Sequence, residues 1–159
     1  MLNFDSKGLL TPNTNIVASV ADLKQHFVDA IPSDTRPENF DKYVHYSNEL
    51  KKLLSVDSLK QWINGSFVTN IKNPKDIDLV TFIDFDLRVK FQAELREFEA
   101  KGANDIFGVD AYLLTVFPDG HKDIFLFQSD RAYWIERFSR TRRDHSGKKN
   151  PKGFLELIY

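Results

Sequence analysis

Two apolar runs with aspartates near their heads limit what this chain can fold into: DIDLVTFID at 76–84 and GVDAYLLTVF at 108–117. Both read as strands, so the chain must build a sheet that carries acids into its interior. Strand side chains alternate with period two, which predicts Asp76, Asp78, Val80 and Phe82 on one face of a strand over 76–83. Asp110 likewise shares a face with Tyr112, Leu114 and Val116. Carboxylates two residues apart on a strand stand roughly 6 to 7 Å apart from the rise alone, a spacing an oxygen-seeking cation can bridge. Like charges held that close are costly until a cation resolves them.

The remaining elements follow from periodicity and turn chemistry. Val20, Leu23, Phe27 and Val28 predict a helix over 17–30, stopped by Pro32. A second helix starts near Pro37 and presents Phe40, Tyr43, Val44, Leu50, Leu53 and Leu54. LKQWI at 59–63 predicts a strand that ends at the turn Asn64-Gly65-Ser66. After the acidic strand, Asp84 or Asp86 is placed to cap a helix with the stripe Leu87, Phe91, Leu95 and Phe98, and Gly102 to stop it. Asp105 then falls in a loop; a shifted register would make it, in place of Asp110, the third carboxylate, but the alternation favours Asp110. Pro118-Asp119-Gly120 predicts a hairpin returning through 123–127, followed by a short helix capped at Ser129 or Asp130 and carrying Tyr133, Trp134 and Phe138. A strand over 154–158 closes the chain. Long helices separate only some of these strands, which makes the expected fold α+β: a mixed β-sheet flanked by helices. One domain is expected over 1–159, with 1–56 a helical N-terminal extension and 57–159 the core.

The 159 residues suffice for one sizeable core, and 14 phenylalanines would dominate it. There is no cysteine, hence no disulfide or thiolate site, which suits the cytoplasm. No stretch is apolar enough for a signal peptide or membrane span, so no membrane partner is expected. The four histidines lack metal-ligand spacing, and neither a GxxxxGK[ST] loop nor a GxGxxG fingerprint is present. A net charge of -1 requires any nucleic-acid contact to be local. The segment Arg137 to Lys152 offers one, with seven lysines and arginines against the single acid Asp144.

Gly65-Ser66 and Asp76-Ile77-Asp78 are separated by nine residues. A glycine lets backbone approach a phosphate closely, and the serine hydroxyl can hold its oxygens. A phosphate holder thus stands near a cation holder. The Gly-Ser turn, the nine-residue spacer, the Asp76-Ile77-Asp78-Leu79 run and the later strand aspartate Asp110 resemble the signature of the DNA polymerase beta-like nucleotidyltransferase superfamily. The stretches GSFVTNIKNPKDIDLV and NPKGFLELIY resemble more closely a small bacterial and phage family of nucleotidyltransferase-like proteins.

That resemblance implies a minimal nucleotidyltransferase fold in which Asp76, Asp78 and Asp110 hold two magnesium ions (Mg2+) and a nucleoside triphosphate (NTP). Asp110 would help deprotonate the acceptor hydroxyl, while Gly65, Ser66 and Thr69 would face the triphosphate. The implied reaction moves a nucleoside monophosphate onto a hydroxyl of RNA, such as tRNA, or of protein, with the basic segment meeting the acceptor. It also implies service in toxin-antitoxin or phage-defence systems, with a cognate toxin or antitoxin partner. Many members carry arginine three residues after the serine, where this chain has Thr69, and an apolar residue before the glycine, where it has Asn64. Losing that arginine removes a charge-assisted phosphate contact. The alternative implied is a nucleotide-binding regulatory module with weak or no transfer.

Overall fold

A computed structural model describes residues 2–143 and 145–159; Met1 and Asp144, the acid counted in the basic segment, lie outside the described residues. The first strands are β1 (Asn3–Phe4), β2 (Leu10–Thr11) and β3 (Asn15–Val17), where the sequence suggests only an irregular start. Helix α1 (Val20–Lys24) begins at Ser19, whose hydroxyl accepts from the Asp22 amide at 3.0 Å while the Asp22 carboxylate accepts from the Ser19 amide at 2.8 Å. This reciprocal cap fixes the start at 20, after β3 has used residues 15–17. The helix continues as a π-helical stretch, Gln25–Asp29.

Helix α2 (Arg36–Leu54) has Pro37 in its first turn and ends on Ser55 in the left-handed conformation. Strands β4 (Lys60–Asn64) and β5 (Asp78–Asp84) follow, then α3 (Phe85–Lys90), a 3-10 helix Glu94–Phe98, and α4 (Ala100–Phe107). One continuous helix over this region is therefore wrong. Gly102 lies inside α4, where a Cβ would overlap the Arg96 carbonyl oxygen; it lets α4 pack tightly on the 3-10 turn, and Gly108, at φ 69°, makes the left-handed stop. Asp105 is correspondingly helical. Asp84 occupies the cap position of α3 without a capping hydrogen bond.

After β6 (Asp110–Val116), the turn at 118–120 leads into α5 (Ile124–Phe138) and not into a hairpin. Phe127, Trp134, Ile135 and Phe138 pack on one apolar cluster at helical spacing, which overrides the short apolar run at 124–127; Ser129 and Asp130 lie within this helix. Strand β7 (Phe154–Ile158) completes a mixed five-stranded sheet in the order β3-β7-β4-β5-β6, beside the two-stranded β1-β2 sheet.

The sheet has helices on both faces. Ile63, Leu79, Ile83, Ala111 and Leu155 pack with α1, α2 and α4, and Trp62, Val80, Leu114 and Phe154 pack with α5. Strand β4 is antiparallel to both β5 and β7, and β6 is parallel to β5. The heads of β5, β6 and β7 therefore meet the end of β4 at one edge of the sheet. That edge is where Asn64, Asp78, Asp110 and the residues before Phe154 come together.

Candidate active site

Register builds this site. Asn64 is opposite Asp78 across β4 and β5, and Asp78 is the register partner of Asp110 across β5 and β6. Val80, Tyr112 and Leu114, at even spacing from these aspartates, belong to the α5-side cluster, so Asp78 and Asp110 share that face. Asp76 does not. It precedes β5 in a loop, so the strand-alternation argument fails for it, although it still lines the same cleft as Asp78.

Gly65 follows Asn64 at φ 79°, and a Cβ there would overlap a carboxylate oxygen of Asp78. The missing side chain thus makes room for the acid, a use distinct from close approach to a phosphate. Ser66 and Thr69 line the cleft with Gly65. Thr69 is buried, donates its hydroxyl to the Ser66 carbonyl at 2.7 Å and accepts from the Ile71 amide at 3.2 Å. Its hydroxyl closes the turn that displays Ser66.

The cleft measures about 980 Å³. Asp76, Asp78 and Lys75 line it together with the chain from the end of α5 onward: Arg137, Arg140, Arg142, Arg143, Lys149 and Lys152. Burial pushes the Asp78 carboxyl up to about 6, reinforced by the charges of Asp110 and then Asp76 and opposed by Arg142 and Lys152. The three aspartates thus act on one another through Asp78, although Asp110, its register partner, does not itself line the cleft.

Lys152 stands apart from the other cations of the basic segment. It is 4% exposed and donates to the Gly65 carbonyl at 2.8 Å. Burial pulls it down to about 8, against the attraction of Asp78. A lysine between Pro151 and Gly153 at the head of a buried strand repeats the placement of the aspartates, and that is its signal in sequence. Arg36 also escapes pattern reading. Fully buried at the start of α2, it donates to the carbonyls of Phe27, Phe67, Thr69, Ile71 and Lys72, which fixes the loop after the Gly-Ser turn.

The donor chemistry fits a hard divalent cation. Three carboxylates share a partly desolvated edge, and Asn64 Oδ1, also buried and lining the cleft, has no hydrogen-bond partner among the described residues. No group of three His, Cys, Asp or Glu side chains among the described residues is gathered tightly enough to hold a metal as it stands. No described helix is long and apolar enough to cross a membrane.

A family model described as "Family of unknown function (DUF6932)" matches residues 2–158. No curated protein and no solved structure matches the chain.

Proposed function

The chain belongs to that family of unknown function, DUF6932, and we propose that it is a nucleotidyltransferase acting in the cytoplasm. It would move a nucleoside monophosphate from an NTP to an acceptor hydroxyl. The observation that carries this reading is the placement of Asp78 against the Gly65 turn and in register with Asp110, in a cleft that basic residues also line.

Asp76, Asp78 and Asp110 would hold magnesium, with the Asn64 amide oxygen available beside them. Bound there, the metal would supply charge stabilisation for the phosphates and activate the attacking oxygen. Ser66 would orient the phosphate chain, on a turn that Thr69 and Arg36 keep in one shape. Lys152 holds the Gly65 carbonyl and places positive charge beside Asp78. Asp110 would accept the hydroxyl proton as the acceptor oxygen bonds to the α-phosphorus and the bond to the bridging oxygen breaks, releasing pyrophosphate.

Labelled NTPs, magnesium, a tRNA pool and candidate protein acceptors provide the test. Transfer is expected, with a loss of at least about a hundredfold in Asp78→Ala and Asp110→Asn, the scale of removing a general base or charge-stabilising group. Absence of labelling, or undiminished labelling by both variants, would overturn the reading. One observation favours the alternative module that binds without transfer: the hydroxyl of Thr69, where relatives of this pattern place arginine, is engaged by the turn itself. Nucleotide binding in calorimetry without turnover would establish that reading.

A further inference from the structure

From the basic residues that line the cleft we infer that it receives a single-stranded polynucleotide. Arg137, Arg140, Arg142, Arg143, Lys149 and Lys152 would lay it along the cleft with its end at Asp78. Calling that strand the acceptor rests on the transfer reading; the binding itself does not.

The charge of the cleft carries the first step. Among the described residues, seven lysines and arginines line it against the acids Asp76, Asp78 and Glu136, although the whole chain carries a net -1. An NTP with its magnesium counter-charges is nearly neutral, so it leaves most of that surplus uncompensated. A second polyanion compensates it. Shape carries the next step. Arg137 and Arg140 lie at the end of α5, Arg142, Arg143 and Lys149 continue along the exposed chain, and Lys152 returns to the buried floor. That is a track of cations, which suits a chain of phosphodiesters better than one compact phosphate group.

The track is also held in a defined form. The Thr141 amide donates to the Asn150 carbonyl at 2.8 Å, the Asn150 amide donates to Thr141 Oγ1 at 2.9 Å, and the Lys152 amide donates to the Ser139 carbonyl at 2.9 Å. These bonds close the segment at its base, so the backbone that carries Arg140 and Lys152 is positioned and not merely tethered. An aromatic face stands beside them. Tyr133 lines the cleft, is 54% exposed, and accepts from the Arg137 guanidinium at 2.9 Å; the same guanidinium lies 5.3 Å over the Trp134 ring. A cationic groove with an exposed ring is the arrangement that holds single strands by backbone charge and base stacking. RNA and DNA strands share this chemistry.

Fluorescence anisotropy with short labelled single-stranded oligoribonucleotides and oligodeoxyribonucleotides tests the inference, in EDTA and without nucleotide, so that neither metal nor transfer enters. The parent should bind with strong salt dependence, and the better of the two probes identifies the sugar class. Neutralising Arg140, Arg142, Arg143 and Lys149 together to Gln should weaken binding at least about tenfold and reduce the log-log salt slope by about 3, near 0.7 per charge on a single strand. Tyr133→Ala should weaken it about tenfold. Failure of the parent to bind either strand would overturn the inference, including the case in which it binds only inorganic tripolyphosphate. So would undiminished binding by the neutralised variant. Strand binding without transfer would leave this inference standing and overturn only the transfer reading.

Discussion

At Gly65 and Asp78 two residues far apart in sequence occupy one space. The carboxylate fills the position that a Cβ at 65 would take, and Gly65 adopts a left-handed φ of 79°. Gly65→Ala should therefore cost about 1–2 kcal/mol from conformation alone, plus a repulsive contact that displaces the acid. The urea midpoint should fall and transfer should be lost. In an Asp78→Ala background the same substitution should cost less, because the contact has gone; equal costs in the two backgrounds would show that the residues do not compete for space. Asp78 also sets a pH dependence. Its carboxyl is raised from 3.8 to about 6, so between those values the folded chain binds more protons than the unfolded one, and stability falls as pH rises through that window. The stabilising contribution is complete below about 3.8 and gone above about 6. Urea midpoints across this range should show the fall in the metal-free protein, and Asp78→Asn should flatten it. Magnesium should raise the melting temperature more at pH 7.5 than at pH 5, where protons compete for the same oxygens.

At the scale of elements, the stretch after β5 shows where sequence pattern ends and packing begins. Its stripe of Leu87, Phe91, Leu95 and Phe98 has helical spacing, yet the chain breaks into α3, a 3-10 turn and α4. The break depends on Gly102, which admits the Arg96 carbonyl against α4. Helix propensity alone predicts that Gly102→Ala stabilises by about 1 kcal/mol. Overlap with a backbone oxygen predicts the opposite, a destabilisation of about 1–3 kcal/mol, and thermal unfolding of the single variant decides between them. The same contrast explains what was legible. Period-two alternation identified β5 and β6, and their parallel register then placed Asp78 beside Asp110, because both residues sit at strand heads. That same alternation extends the strand to Asp76, whereas pairing begins only at Asp78. The short apolar run at 124–127 looks the same as a strand or as the first turn of α5. Only contacts with Trp134 and Phe138, beyond the window in which a hairpin is read, distinguish the two.

Across the whole molecule, residues 7–17 act as a strap that touches both the Gly-Ser turn and the basic segment, a role that the expected helical extension conceals. On the side of the Gly-Ser turn, Leu9 bridges Thr69 and the Asn70 amide donates to the Gly8 carbonyl at 3.1 Å. On the side of the basic segment, Lys7 Nζ donates to Asn150 Oδ1 at 2.7 Å, the Gly153 amide donates to the Leu10 carbonyl at 2.7 Å, and β3 pairs with β7. These pairings are long-range and polar, so no hydrophobic period announces them, and strands of two or three residues are too short to be read by alternation. Two glycines offer a way to loosen the strap from either end. A Cβ at Gly8 would overlap the Asn70 side chain at a φ of 73°, and a Cβ at Gly153 would overlap the Pro12 carbonyl oxygen. If the strap couples the two sides, Gly8→Ala should accelerate amide exchange at 150–154 as well as at 66–70, and Gly153→Ala should do the same in reverse. An acceleration of about tenfold at the distant side corresponds to roughly 1.4 kcal/mol of coupling. Exchange that quickens only beside the substituted glycine would mean that each side is held independently. In the coupled case, Lys152 and the Gly65 carbonyl it holds would shift with residues that touch neither of them. Both variants should then lose transfer while Asp76, Asp78 and Asp110 remain in the chain.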